Sequence, residues 1–338
     1  MKLEQCIELA HGAGGKSSRR LIEQVILAEC RNPLLEPLAD AAIIEWDKTR
    51  YALTTDSYVV SPLAFPGGSI GELAVNGTVN DLAVSGAKPL VILSSWILEA
   101  GLSMEVFQRE VKAMARAAKA ASVIIAGGDT KVVEHGKGDG LYITTTGYGL
   151  VEPGVNLGPH RVEVGDKILL SGPIGDHGIT VLLARGEIEL EATLKTDSRP
   201  LWPMIEPMIR LEPSAIKWMR DPTRGGLASV LNELAHDIGF GVMIEEELIP
   251  IRQEVRGACE ILGLDPLHIA SEGQFVAVVD QKKAVDFQKL LNDIPGGEEA
   301  RIIGVISDKP SGKVVTLSAY GGSRMVDMLV GDPLPRIC

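Results

Sequence analysis

Gly71-Glu72-Leu73-Ala74-Val75-Asn76-Gly77-Thr78-Val79-Asn80-Asp81-Leu82-Ala83-Val84-Ser85-Gly86 is the stretch on which the fold turns. Leu73, Val75, Val79, Leu82 and Ala83 give it the long apolar surface of a packed helix. Asn76, Asn80 and Asp81 interrupt that surface, and Asn76 and Asn80, four apart, share a face. Asn and Asp are poor residues for a helix interior. A small-residue helix that keeps three of them gives up stability for something other than packing, which marks them as candidate binding residues.

The segments on either side build an α/β domain around this helix. Upstream, Ala41 to Trp46 and Tyr51 to Thr55 read as a hairpin across the Asp47-Lys48 turn. Its second strand ends in Thr54-Thr55-Asp56-Ser57, an acid where an apolar strand runs out. Downstream, Leu90 to Leu98 suits a buried strand, and Ser103 caps a helix through Ala121. Ser122 to Ala126 is a second buried strand, ending in Gly127-Gly128-Asp129-Thr130, and Tyr142 to Leu150 is a Thr-rich strand. Near the start, His11-Gly12-Ala13-Gly14-Gly15-Lys16 precedes a helix that Ser17 or Ser18 can cap. Its glycines expose backbone N–H groups to an anion and Lys16 adds charge, but the spacing is not that of a Walker A loop.

Val151 to Val164, with two glycines and two prolines, reads as a linker into a second α/β block. That block opens with the strand Lys167 to Leu170 and a glycine-rich turn carrying His177, then a helix to Arg185. Asp221-Pro222-Thr223-Arg224-Gly225-Gly226 starts the helix Leu227 to Ile238, and there an acid, a hydroxyl and a base meet at a helix N-terminus. Glu272, in Ala270-Ser271-Glu272-Gly273, lies between an apolar approach and the strand Phe275 to Val279. Helix Lys282 to Leu291 and strands Arg301 to Ile306 and Lys313 to Leu317 complete the block. The chain then runs out through Gly331-Asp332-Pro333-Leu334-Pro335-Arg336-Ile337-Cys338, an extended tether with a thiol at its tip.

Composition narrows the function. A length of 338 residues accommodates about two domains. A net charge of −12 argues against nucleic acid, whose phosphates need a basic surface. Cys6, Cys30, Cys259 and Cys338 show no CxxC spacing, so zinc-finger and thioredoxin readings fail and free thiols in the cytoplasm are expected. The N-terminus lacks the apolar core of a signal peptide, and no apolar run approaches the ~20 residues that span a bilayer. Asp56, Asp81, Asp129 and Asp221, each beside small residues, form a hard-oxygen set that suits Mg²⁺ and through it a nucleotide triphosphate.

In this order Gly-Ala-Gly-Gly-Lys, Thr-Thr-Asp-Ser, Val-Asn-Asp-Leu-Ala, Gly-Gly-Asp-Thr, Asp-Pro-Thr-Arg-Gly-Gly and Ser-Glu-Gly resemble the aminoimidazole ribonucleotide synthetase superfamily. The closing Pro-Arg-Ile-Cys is similar to its hydrogenase-maturation carbamoyl dehydratases. The resemblance spans essentially the whole chain. It implies a two-domain α/β (α+β) PurM-like subunit: residues 1–155 for ATP binding and dimerisation, 164–325 for a second domain, and 326–338 for a mobile tail. N-terminal domains would pair into a β-barrel-like core of a homodimer.

Carried over by position, Asp56, Asp81, Asp129 and Asp221 would bind Mg²⁺ and phosphates. Lys16, Asn76, Asn80, Asp81, Thr130, Thr223 and Arg224 would contact ATP. Arg224 stands where other members carry a second acid, and offers a cation for phosphate instead. Cys338 would accept a carbamoyl group from the carbamoyltransferase HypF, and ATP-dependent loss of water would convert it to a thiocyanate. The HypC–HypD iron scaffold would receive the cyanide for a [NiFe] hydrogenase. Glu272 is the expected base, with His11 and His177 as rivals. Two other readings remain: a different superfamily enzyme, such as selenophosphate synthetase or a small-molecule kinase, and a non-enzymatic assembly scaffold.

Overall fold

The computed structural model describes residues 6–12, 14–186, 193–329, 331 and 334–338. Helices α1 (Lys16–Leu21) and α2 (Leu27–Cys30) follow the glycine loop, joined by the π-helical turn Ile22–Ile26. Strands β1 (Ala42–Trp46) and β2 (Thr49–Tyr58) form the expected hairpin, with Asp47 and Lys48 both at positive φ in its turn. The short ladder β3 (Ala64–Phe65) and β4 (Gly68–Ser69) leads into α3 (Ile70–Val84), the helix of the opening stretch. β5 (Ala87–Glu99), α4 (Met104–Ala120), β6 (Ile124–Val133) and β7 (Leu141–Val151) finish a five-stranded sheet of order β1-β2-β7-β5-β6.

α3 has no polar face because it is enclosed on every side. Of its residues only Glu72 and Asp81 are not buried. The sheet, α4 and α6 of the second half surround it. Close approach needs glycine at position 77, where an added Cβ would stand 2.2 Å from the Tyr58 hydroxyl. Thr78 and Thr145 hydroxyls meet at 2.6 Å across the helix–sheet seam.

The second half holds β8 (Lys167–Leu170), α5 (Asp176–Ala184), α6 (Trp202–Leu211), β9 (Ile216–Arg220), α7 (Gly226–Ile238) and β10 (Gly241–Glu245). It continues with α8 (Gln253–Leu262), β11 (Val276–Val279), α9 (Ala284–Asn292), β12 (Arg301–Ser307), β13 (Val314–Leu317) and β14 (Ser323–Val326). Its seven strands run in the order β14-β13-β10-β12-β8-β11-β9. The two halves share a core: Leu82, Ala83 and Val84 of α3 pack with Met204 and Ile205 of α6. Strands β9, β10 and β14 and helix α8 escaped the sequence reading.

Four expectations need correction. Asp56 and Asp129 are not strand-end acids, because β2 runs two residues past Asp56 and β6 four past Asp129. The strands read as buried are only partly so: Ile92 and Trp96 on β5 are buried, but Leu93 and Ile97 beside them and Ile124 on β6 are 48%, 40% and 67% exposed. Neither Ser17 nor Ser18 caps α1; Gly15 stands at its N-cap, and the Ser18 hydroxyl instead accepts from the Gly14 N–H at 2.9 Å. Val326 belongs to β14, so the tail begins later than expected, and its last five residues are seated against the protein rather than free.

Candidate active site

An acid trio lies where the two halves meet. Asp81 comes from the last turn of α3, Asp40 from the approach to β1, and Asp221 from the end of β9. One carboxylate oxygen from each lies within 4.8 Å of the others. An acid at a helix C-terminus opposes the helix dipole, so Asp81 adds nothing to the stability of α3 by its charge. Thr54 Oγ1 sits 2.7 Å from Asp81 Oδ2 and 2.8 Å from the Asp40 carbonyl oxygen. Arg220 offsets Asp40 through Nε at 3.2 Å. Burial first, and then the crowding of acids, holds Asp81 and Asp221 well above the usual carboxylate range. Burial raises Asp40 too, against the pull of Arg220.

Converging hard oxygens whose mutual repulsion a dication would relieve are a donor set that fits Mg²⁺. Asp40 was not anticipated; its one sequence signal is an acid among alanines immediately before the first strand. Asp56 is a near neighbour whose charge reaches all three acids, and it accepts from the Tyr58 hydroxyl at 3.3 Å, but it is not part of the trio. Asp129 and Thr130 lie on the exposed edge strand β6, where Asp129 pairs with Lys131.

Beside the trio opens a cleft of about 1230 Å³, lined by Gly14, Gly15, Asp40, Asp221, Thr223 and Arg224 among others. The glycine loop and the Asp221–Gly226 turn thus meet as the anion-binding reading requires. Gly14, at φ +75°, lies so close to Arg224 that a Cβ there would come within 2.7 Å of its side chain. Lys16 is turned to Asp327 at 2.7 Å and does not line the cleft. Asn76 donates to Ser198 Oγ at 3.0 Å while its buried Oδ1 has no hydrogen-bond partner among the described residues. Asn80 spends both amide protons on the carbonyls of Arg199 and Glu272, and its Oδ1 accepts from Leu201 N–H. Its side chain fastens the halves together rather than facing the cleft.

The tail docks in antiparallel sense along the chain after β2: Val59 N–H donates to the Cys338 carbonyl at 3.1 Å, and Ser61 N–H to that of Arg336 at 3.2 Å. Leu334 and Ile337 are buried, at 6% and 5% exposure. Arg185 grips the carbonyls of Pro335 and, at 3.1 Å, Arg336. His177 Nε2 meets the Ile337 carbonyl at 3.0 Å, which makes Nε2 the protonated nitrogen, while Nδ1 faces Thr196 Oγ1 at 2.8 Å. Both nitrogens are engaged, so His177 holds the tail and is not a free base. Cys338 itself borders a small cavity of about 70 Å³ with Ser57, Arg224 and His268.

Glu272 is 2% exposed, and its Oε1 has no hydrogen-bond partner among the described residues. Burial, then the charges of Asp221 and Asp197, hold its carboxyl well above the ordinary range. Arg224 joins these parts electrostatically. Negative charge at Cys338 is foremost in holding its guanidinium charged, followed by Asp56 and Glu272. A terminal thiol, a cation, a buried carboxyl and a metal-ready acid trio therefore share one neighbourhood. Such a set can activate an oxygen as a leaving group and take protons from an adjacent nitrogen.

Comparison with known proteins matches both halves. Residues 38–151 match the N-terminal domain, and residues 163–316 the C-terminal domain, of AIR synthase related proteins. Carbamoyl dehydratase HypE of Azotobacter vinelandii is 46% identical over 332 residues, 98% of this chain and 97% of that protein. A crystal structure of a HypE–HypF complex superposes with a TM-score of 0.87 at 43% identity, covering 91% of this chain and 99% of that one. HypE in complex with ATP superposes at 0.82 and 41% identity, covering 98% and 100%.

Proposed function

This chain belongs to the AIR synthase related family and, within it, to the HypE carbamoyl dehydratases of hydrogenase maturation, and on that premise we propose how its residues carry out the reaction. HypF carbamoylates the Cys338 sulfur, and this chain then converts S–C(=O)–NH₂ to S–C≡N. The carbonyl oxygen must leave and both nitrogen protons must be removed. ATP supplies the activation, turning a poor oxide leaving group into phosphate. Arg224, with the Gly14–Gly15 loop and Thr223, would hold phosphate in the large cleft, and Asp40, Asp81 and Asp221 would hold Mg²⁺. Asp56 adds negative charge beside them, which would further favour a dication. Cys338 and Arg224 border the same small cavity, which supports a role for that cation in meeting charge that gathers on the departing oxygen. Glu272, buried beside Arg224 with Oε1 unpartnered among the described residues, is the residue that takes the nitrogen proton.

The exposed apolar side chains on β5 and β6 support a homodimer paired through that face. There Asp129 and Thr130 would serve the partner subunit's site. The cyanide passes to the HypC–HypD scaffold in the cytoplasm. Among the described residues no helix is long and apolar enough to cross a membrane.

The observation that carries this reading is the seating of the terminal cysteine at a small cavity that Arg224 also borders. The test is the intact mass of the tail peptide after incubation with HypF, carbamoyl phosphate and ATP. A carbamoyl adduct on Cys338 that becomes lighter by one water supports it. An adduct that persists while ATP turns over refutes it.

A further inference from the structure

The segment Thr196 to Arg199 makes an unusual set of contacts with the loop that bears Glu272. The Asp197 carboxylate accepts from two consecutive backbone groups: Glu272 N–H at Oδ1 and Gly273 N–H at Oδ2, both at 3.1 Å. The two carbonyls of the same dipeptide are held as well. Glu272 C=O accepts from Asn80 Nδ2 at 3.0 Å, and Gly273 C=O from Arg199 Nε at 2.9 Å. All four backbone polar groups of Glu272-Gly273 are thus fixed by side chains from other parts of the chain.

The approach is so close that position 273 must lack a side chain, since a Cβ would fall 1.8 Å from the Asp197 carbonyl oxygen. Against this clamped backbone the Glu272 carboxyl stands with Oε1 unpartnered among the described residues. One residue earlier, Thr196 Oγ1 faces His177 Nδ1, and His177 Nε2 holds the carbonyl next to Cys338. One short segment therefore touches the supports of both reacting groups.

We propose that Asp197 is a positioning residue for dehydration, fixing the Glu272 loop in register with the tail that Thr196 and His177 hold. This rests on Glu272 being the base. Asp197 touches neither the sulfur nor the acid trio by any bond described above; its bonds are to the Glu272-Gly273 backbone, and its charge reaches Glu272 and His177. Losing both acceptors frees the dipeptide to shift, and a misplacement of about 1 Å costs on the order of 100-fold in rate. The effect should fall on the dehydration step and leave the nucleotide cleft alone.

The experiment is a double-mutant cycle on full-length protein carbamoylated by HypF, with single-turnover conversion of the Cys338 adduct read by mass. Asp197→Ala should slow conversion by about 10- to 100-fold with the KM for ATP unchanged. Asp197→Asn, which keeps one acceptor oxygen, should recover part of the rate. In the Glu272→Gln background, Asp197→Ala should cost nothing further. A multiplicative loss in the double variant would show that Asp197 acts independently of Glu272 and overturn the proposal. So would a full rate in Asp197→Ala while Glu272→Gln is slow. A full rate in Glu272→Gln itself would overturn the base assignment first and the proposal with it. Should Asp197→Ala fold poorly, Asp197→Asn against Glu272→Gln completes the same cycle.

Discussion

Arg185 is the side chain whose loss most directly frees the tail. Its guanidinium bonds the carbonyls of Pro335 and Arg336 on the tail and, through Nε at 3.1 Å, that of Ser61 on the opposite wall of the groove. Arg185→Met keeps most of the aliphatic stem and removes every donor. A hydrogen bond from a charged donor is worth about 1.5–3 kcal/mol. The two tail bonds share one amino group at a half-buried site, so about 2 kcal/mol is a fair combined value. That shifts the ratio of docked to released tail by about 30-fold, since 1.4 kcal/mol is a factor of ten.

Alkylation of Cys338 by a bulky maleimide reads this ratio directly, because labelling proceeds from the released state and its rate follows that state's population. We expect Cys338 labelling to be several-fold faster in Arg185→Met, about 30-fold being the ceiling reached only where the released tail is rare. Cys6 and Cys30, both exposed, should label at unchanged rates and serve as internal references. Dehydration and carbamoylation should move in opposite directions. The dehydratase site needs the tail docked, whereas HypF needs it released. An unchanged Cys338 labelling rate in a variant of normal melting temperature would refute the latch.

Cys338→Ala should fold normally and accept no carbamoyl group; adduct on Cys6, Cys30 or Cys259 would refute the acceptor assignment. Asp81→Asn should abolish ATP turnover while carbamoyl acceptance survives, because it removes one charged oxygen from the trio with little change of shape; wild-type turnover would make Asp81 structural. Asp176 has its carboxyl pushed up to about 6 from 3.8, burial outweighing its bond to Arg252. The folded state then keeps a proton that the unfolded state releases, so this group's contribution to stability is lost as pH rises from about 4 to 6. Asp176→Asn should flatten the fall in unfolding free energy across that interval by up to about 3 kcal/mol, measured by urea titration at several pH values. An identical pH slope in both proteins would refute it.

What could be read from sequence depended on how local its cause was. α3 was legible because the conflict between its apolar surface and Asn76, Asn80 and Asp81 lies within sixteen residues. Glu272 was legible because its burial follows from the apolar residues flanking it. Asp40 gave almost no signal, since its membership of the trio is decided by the meeting of α3, β9 and the approach to β1. Asp197 gave none, because its partners are two backbone amides 75 and 76 positions on. Strands β5 and β6 looked buried because an apolar run reads the same whether its side chains are covered or lie on the surface.

The tail is the instructive case, because its prolines and glycine do favour an extended segment and yet the segment docks. Burying Leu334 and Ile337 is worth about 3–6 kcal/mol together. The backbone bonds from Val59 and Ser61, and those involving His177, Arg185 and Arg336, add about 1 kcal/mol each. Ordering the five residues 334–338 opposes this by about 5–10 kcal/mol. The terms nearly cancel. A tail docked through so few contacts can be released by a competing partner of ordinary affinity and can return unaided. A sulfur that must be charged at one protein and dehydrated at another requires that near-equality, and a longer apolar tail would lose it.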